Sequence, residues 1–299
     1  MTRASTSCRI CSSPRTRRVP FGYDFRGRRL GAVECRDCRI IFLDPQPTPG
    51  EIAGMYAKEY FEGDFRCGHE SSCFTDATRP SLVDVPLLDR LRVLAPAGRF
   101  LEIGCAGGAF LNAAREAGYE VTGVEFSPEA SHFARETFGL TVFTGDVAEA
   151  RLPGGSFALA YMGDVIEHLP DPVASLREVR RLLVPGGALV MACPSQTNTL
   201  FSRAGFAVYR ALGREATVRL PPYHLFEYRP TSMRYLLDRC GFADVRIAPG
   251  LIAPGRIALR GSAVERLGKK SFHYINAAVT ALSGLCGDRM EVTAVSQHD

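Results

Sequence analysis

From residue 98 onward, apolar and polar positions fall into two alternating patterns. Short apolar runs, RFLEIGC, YEVTGVEFS, LTVFTGD, SFALAYMGDVIEHL and GALVMACPS, predict five strands. Between them, GAFLNAAREAG, EASHFARETFG and PVASLREVRRLL carry apolar residues at helical spacing. Ser127 and Pro128 form an N-cap and first-turn proline for the second of these helices, which ends on Gly139. Strands separated by helices of this length imply right-handed crossovers and a parallel sheet covered on both faces. The expected class is α/β with a doubly wound sheet, and such sheets bind ligands beyond the C-terminal ends of their strands. The closing part, SAVERLGKKSFHYINAAVTALSGLCGDRMEVTAVSQ, predicts an amphipathic helix and a last strand returning to the sheet. That helix is also weighed as an interfacial membrane element, against which its short apolar portion counts.

Before residue 98 a different chemistry governs. The chain has ten cysteines among 299 residues, and four of them form two CxxC knuckles, Cys8 and Cys11 in CRIC and Cys35 and Cys38 in CRDC. Two knuckles separated by 23 residues have the spacing of a zinc ribbon, each supplying two thiolates to one tetrahedral ion. A module of about 40 residues buries too little apolar surface to fold unaided. Structural zinc, worth on the order of 10 kcal/mol or more, supplies the difference. A redox pair is the competing reading, and four thiolates leave no open position for a catalytic metal. Cys67, His69 and Cys73 in CGHESSC suggest a second site but lack an evident fourth ligand. Cys105, Cys193, Cys240 and Cys286 sit among apolar neighbours and read as small core residues.

The net charge of +4 is unevenly spread: residues 1–40 contain ten arginines, no lysine and three acids. This basic segment suits an anionic partner such as nucleic acid or a phosphorylated substrate, or equally a solvated surface that offsets thiolate charge. No stretch reaches the roughly 18 consecutive apolar residues that span a bilayer. The basic start lacks the apolar segment of a secretory signal. A soluble cytoplasmic protein is therefore expected, with one large domain and an appendage.

The loop after the first strand, FLEIGCAGGAFL, separates two cofactor classes. A dinucleotide needs a GxGxxG turn at a helix N-terminus. Here the three positions are Gly104, Ala106 and Ala109, and Glu102 would point a negative charge at the pyrophosphate. S-adenosylmethionine has no phosphate and carries a sulfonium and an ammonium, so an acid at the strand end favours it. Glu102, Gly104, Ala106 and Gly108 give that arrangement with one Gly-to-Ala change, tolerable if the φ of Ala106 stays negative. Glu125 closes the second strand 23 residues after Glu102 and is placed to accept the ribose hydroxyls. Asp146 follows the third strand, where it can accept from the adenine amino group, with Phe126 and Val147 on either side of the ring.

These motifs together resemble the class I S-adenosylmethionine-dependent methyltransferases, from about residue 80 to the end. LEIGCAGGAFL is similar to the first cofactor motif, GVEFSP to the second and TGDV to the third; MGDVIEHLPDP and RLLVPGGALVMACPS are similar to the fourth and fifth strands. The resemblance implies a mainly parallel, seven-stranded Rossmann-like sheet. CRDCRIIFLDPQPTPGEIAGMYAKEYFEG resembles the ribbon-to-core connection of bacterial methyltransferases of sugar, glycan and natural-product pathways. The expected organisation is a zinc ribbon over 1–45, a connecting helical or lid segment over 46–80 and the methyltransferase domain over 81–299, with a substrate lid inserted at 195–228. The sugar C-methyltransferases of that group continue into a further domain, so O-methylation of a small metabolite or sugar gains weight. The Asn/Asp-Pro-Pro-Tyr sequence of amino-group methyltransferases is absent after the fourth strand, where GDVIEHLPDP stands instead. An RNA methyltransferase and an inactive binding protein of the same fold remain the alternatives.

A hydroxyl acceptor benefits from a base, and histidine titrates near the working pH. His168 follows the fourth strand at the pocket rim, and His224, in PPYHLFEYRP, precedes a helix in the lid region. Both are candidate catalytic residues, set against structural packing or loop anchoring. Tyr56, Tyr60 and Phe61 are expected to close the other side over the cofactor. The acceptor's identity and the oligomeric state have no signature in the chain.

Overall fold

The computed structural model describes residues 6–57, 60–61, 85–251, 262–283 and 287–297. The Cys67–His69–Cys73 cluster, Cys286, His298 and most of the 46–80 connector lie outside the described residues.

Five parallel strands form the centre of the large sheet: β4 (Arg99–Ile103), β5 (Glu120–Glu125), β6 (Val142–Thr144), β7 (Phe157–Gly163) and β8 (Leu183–Pro194). Two more, β11 (Phe242–Gly250) and β12 (Arg289–Ser296), complete the order β11-β12-β8-β7-β4-β5-β6. Only β12 runs antiparallel to its neighbours. The seven-stranded, mainly parallel sheet expected from the sequence is thus present.

Alternate residues of the central strands enter two different cores, as the two-residue period of a strand requires. Phe100, Leu159 and Val190 pack with α2 (Val85–Leu94), α3 (Ala109–Glu116) and α4 (Pro128–Phe138). Leu101, Ala160, Met162 and Met191 pack with α5 (Pro172–Leu182) and α7 (Pro230–Arg239). The caps follow the sequence. Ser127 Oγ accepts from Ala130 N at 3.3 Å, Gly139 ends α4 at φ +63°, and Asp171 Oδ1 accepts from Ala174 N at 2.9 Å.

The N-terminal segment folds into β1 (Thr16–Phe25), β2 (Arg28–Cys35) and β3 (Ile41–Asp44), an antiparallel meander. The helix α1 (Pro49–Met55) follows, with a Thr48–Glu51 capping box. The sheet does not stop at residue 45. The 195–228 insertion, after α6 (Leu200–Ala211), contributes β9 (Ala216–Val218), parallel to β1, and β10 (Phe226–Glu227), antiparallel to β3. Phe21 and Phe206 stack at 5.6 Å and fasten α6 to β1. The insertion thus gives two short strands to the ribbon sheet, while Gln196, Tyr223 and His224, near its two ends, line the cavity described below.

Ribbon and large domain also share a charged joint. Glu34 on β2 is 2% exposed, and its carboxylate meets Arg17, Arg39 at 2.8 Å and Arg229 at 3.2 Å, the last from the start of α7. Five of the ten N-terminal arginines, Arg15, Arg17, Arg28, Arg29 and Arg39, form ion pairs with carboxylates of this chain. The helix α8 (Ala263–Ser283) precedes β12, as the pattern predicts.

Candidate active site and metal centre

A cavity of about 1370 Å³ opens at the C-terminal ends of β4, β5 and β7. Glu102, Gly104, Ala106, Glu125, Phe126, Asp146, Val147 and Tyr60 all line it, so the residues singled out from three separate motifs converge. Gly108 stands one turn behind, as the N-cap of α3 at φ +81°.

Glu102 is 5% exposed, and its Oε2 has no hydrogen-bond partner among the described residues. Burial, reinforced by the charge of Glu125, pushes its carboxyl up to about 8. Glu125 is held differently. Its Oε2 accepts from Ala106 N and its Oε1 from Ser127 N, both at 2.8 Å. Each carboxylate oxygen can accept more than one bond, so these contacts orient the group without exhausting it.

The loop backbone explains the glycines and corrects one expectation. Gly104 has φ +73°, and a Cβ there would collide with Val165; at Gly108 a Cβ would lie 2.7 Å from Leu140 Cδ1. Ala106 was expected to keep a negative φ, but it adopts +47°. A left-handed L-residue costs roughly 1–2 kcal/mol. The bond from its N–H to Glu125 holds that conformation. The strain thus ties the first-strand loop to the second-strand acid.

Across the cavity, Phe126 is 47% exposed whereas Val147 is buried. Tyr60 meets Tyr56 and Tyr223, each at 5.0 Å between ring centres, and Tyr56 approaches His168 at 5.9 Å. The Tyr56 hydroxyl is buried without a hydrogen-bond partner among the described residues, and desolvation raises its pKa.

His168 and His224, 56 positions apart in sequence, stand 5.1 Å apart between ring centres. Backbone pairing brings them together, because the Glu167 carbonyl accepts from Leu225 N at 2.9 Å and from Phe226 N at 3.1 Å. His168 Nδ1 lies 2.8 Å from the Tyr223 carbonyl oxygen. A carbonyl only accepts, so the ring proton sits on Nδ1 and Nε2 presents a lone pair. Burial, aided by the charge of His224, lowers the His168 pKa to about 3. His224 titrates the other way. Burial disfavours its cation, but the hydrogen bond and charge of Glu227, with Glu167 and Asp164 beyond, raise it to about 9. Its Nδ1 is 3.4 Å from Glu227 Oε1. Glu167 is 1% exposed, and burial pushes its carboxyl up to about 8. Asp164 is paired to Arg289 of β12 at 2.6 Å.

Sequence reasoning named both histidines but missed Glu227 and the Asp164–Arg289 pair. Glu227 stands three residues after His224, a spacing that was there to read; Arg289 reaches its partner only through the returning strand β12.

The four knuckle cysteines form a separate centre. Cys8 Sγ lies 3.5 Å from Cys38 Sγ, Cys11 Sγ 3.6 Å from Cys35 Sγ, and all four sulfurs are within 4.8 Å of one another. Tetrahedral Zn–S bonds of about 2.3 Å imply sulfur edges of about 3.8 Å. The donors present therefore fit that ion. The Cys38 thiol, hydrogen-bonded to Cys8, holds the Cys8 pKa down to about 5 despite burial, so one thiolate is already favoured.

Sheet order, a glycine-bearing loop after the first strand and acids at successive strand ends define a Rossmann-like, cofactor-binding class of protein. Residues 78–247, more than half of the chain, match the family described as methyltransferase domain, and the chain belongs to that family. Among its relatives is the ubiquinone biosynthesis O-methyltransferase of Xanthomonas campestris pv. campestris (strain B100), 31% identical over 145 residues, covering 46% of this chain and 58% of that protein. The enzyme of the same name from Xanthomonas axonopodis pv. citri (strain 306) is 32% identical over 174 residues, covering 54% and 70%. The chain thus spans little more than half the length of the first of these relatives. Among solved structures, Haemonchus contortus phosphoethanolamine N-methyltransferase 2, in complex with S-adenosyl-L-methionine, aligns with a TM-score of 0.50 at 19% identity, over 83% of this chain and 57% of that one. That likeness is one of fold. Among the described residues, no helix is long and apolar enough to cross a membrane.

Proposed function

We propose that the protein is an S-adenosylmethionine-dependent methyltransferase with a structural zinc ribbon, transferring methyl to an oxygen of a small metabolite or sugar. The observation that carries the cofactor assignment is the buried Glu102 carboxyl, which belongs to the cavity lining and has one oxygen without a hydrogen-bond partner among the described residues. A diphosphate would meet repulsion from Glu102 and Glu125, whereas an ammonium or sulfonium would relieve it. On this reading Glu125 would accept from a ribose and Asp146 from an adenine amino group, with Phe126 and Val147 beside the ring, and all four line the cavity. When bound, the cofactor supplies an electrophilic methyl group on a positively charged sulfur.

The chain's own contribution is alignment and handling of the acceptor's proton. Holding reactants in line can supply roughly 7 kcal/mol or more. Tyr56, Tyr60 and Tyr223 wall the cavity, while Glu167, His168 and His224 are the groups that would bear on a hydroxyl proton beside it. Oxygen as the acceptor atom is supported by the printed names of the relatives, which are O-methyltransferases. Internal pairing of half the N-terminal arginines weighs against a nucleic-acid substrate. Cys8, Cys11, Cys35 and Cys38 would hold the zinc and close the ribbon around it.

Calorimetry with S-adenosylhomocysteine and with NAD, together with zinc analysis, tests the reading. Binding of S-adenosylhomocysteine and about one zinc per chain are expected. Binding of NAD alone would overturn it.

A further inference from the structure

The Glu167–His168–His224 cluster leaves a buried carboxyl group, that of Glu167, with neither oxygen hydrogen-bonded among the described residues. Leaving a charged group in that state is costly, so buried charges are paired or bind metals. The nearest atom of opposite character should be a donor, yet His168 Nε2, 3.6 Å from Glu167 Oε1, is the lone-pair nitrogen because Nδ1 is committed to Tyr223. With Glu167 ionised, two acceptors face each other in a buried space. A shared proton would draw them to hydrogen-bond distance, below about 3.2 Å. The observed gap is wider, and it matches the edge of about 3.4 Å that two ligands make around a tetrahedral ion with bonds of about 2.1 Å.

We propose that Glu167, His168 and His224 hold a divalent transition metal, such as zinc or manganese, separate from the ribbon zinc. One donor atom from each residue lies within 4.8 Å of the others. The outer contacts fit the role. Metal-bound histidines almost always give their second ring proton to a carbonyl or carboxylate. Here His168 does so to the Tyr223 carbonyl, and Glu227 stands beside His224 Nδ1, which leaves Nε2 of each ring as the ligand atom. Arg289, on the neighbouring strand β12, is engaged by Asp164. Two imidazoles and a carboxylate suit zinc and its neighbours rather than calcium or magnesium.

Three protein ligands leave a position open, as metals that act on substrates require. This inference rests on the methyltransferase reading for its chemistry. An acceptor hydroxyl in that position would become more acidic, its O–H bond breaking with the proton passing to solvent water. The O–CH3 bond then forms as the S–CH3 bond breaks, and the sulfur keeps the electron pair. The ion would thus do at the acceptor what a free histidine base would otherwise do.

Cobalt(II) chloride titrated into the protein with its ribbon zinc in place decides the matter. One equivalent of cobalt is expected, with weak visible bands and without the intense near-ultraviolet absorption of a cobalt–thiolate bond. Glu167→Gln and His224→Gln should each weaken cobalt binding at least tenfold while retaining ribbon zinc and S-adenosylhomocysteine binding. No uptake by the wild-type protein, a spectrum with thiolate character only, or unchanged affinity in both variants would overturn the site. Should a variant misfold, wild-type stoichiometry and spectrum suffice. S-adenosylhomocysteine binding without cobalt uptake removes this site alone. Cobalt uptake without S-adenosylhomocysteine binding removes the methyltransferase reading and leaves the metal site standing.

Discussion

Glu102 offers a quantitative test of the cofactor pocket. In the empty protein its carboxyl is pushed from the ordinary 4.5 up to about 8, first by burial and then by Glu125. That displacement corresponds to roughly 5 kcal/mol of disfavoured charge, the upper limit of what a bound cation could recover. The sign follows from proton counting. Between about pH 4.5 and 8 the folded empty protein holds a proton on Glu102 that the unfolded chain has lost, so its stability falls as the pH rises through that window. A ligand whose ammonium needs the ionised form must expel the same proton, so its affinity rises with pH. With the pKa at about 8, the ionised fraction and hence the affinity for S-adenosylhomocysteine should increase roughly fifty-fold from pH 6 to pH 8 and then level off. Titration calorimetry in two buffers of different ionisation enthalpy would show close to one proton released per ligand at pH 6. Glu102→Gln should abolish the slope and, at pH 8, weaken binding by about 10- to 150-fold, the loss of a charged hydrogen bond worth roughly 1.5–3 kcal/mol. A wild-type affinity that is flat from pH 6 to 8, or a Gln variant that keeps the slope, would refute the reasoning.

Other perturbations probe other parts. Gly108→Ala places a Cβ 2.7 Å from Leu140 Cδ1 at φ +81° and should cost about 3 kcal/mol by urea denaturation; a loss under about 0.5 kcal/mol would contradict the loop conformation. Glu34→Gln leaves three arginines around a neutral group and should destabilise by about 3 kcal/mol, seen as a lower denaturation midpoint at unchanged slope. Cys35→Ser should remove zinc from the ribbon and, by loosening β3 and its partner β10, depress methyl transfer more than S-adenosylhomocysteine binding; full zinc content in the variant would count against the ribbon. His224→Gln should reduce turnover by about 10²–10⁴ with cofactor affinity held, and an unaltered rate would exclude it from the chemistry.

How much of this was legible depended on how local the cause is. The strand–helix alternation, the Ser127 and Gly139 caps and the acids at the strand ends are written within a few residues of where they act. The positive φ of Ala106 was not, because alanine alone disfavours it and the compensating bond comes from Glu125, 19 positions away. Likewise the insertion read as a lid by its aromatic content. Its pairing with β1 and β3 is set by edges formed some 190 residues earlier, and a three-residue strand such as β9 leaves almost no periodic trace. His168 and His224 were each visible as rim histidines. Their convergence depends on backbone bonds from 225 and 226 to Glu167, which no spacing rule encodes.

The shared sheet also decides how the protein can be cut. With β9 on one flank and β10 on the other, part of each border of the β1–β3 meander is paired. A fragment ending near residue 45 would expose two rows of unmet amide and carbonyl groups, an invitation to self-association. Anyone excising the metal-binding module should therefore carry residues 216–227 along with it, which makes the piece discontinuous in the gene.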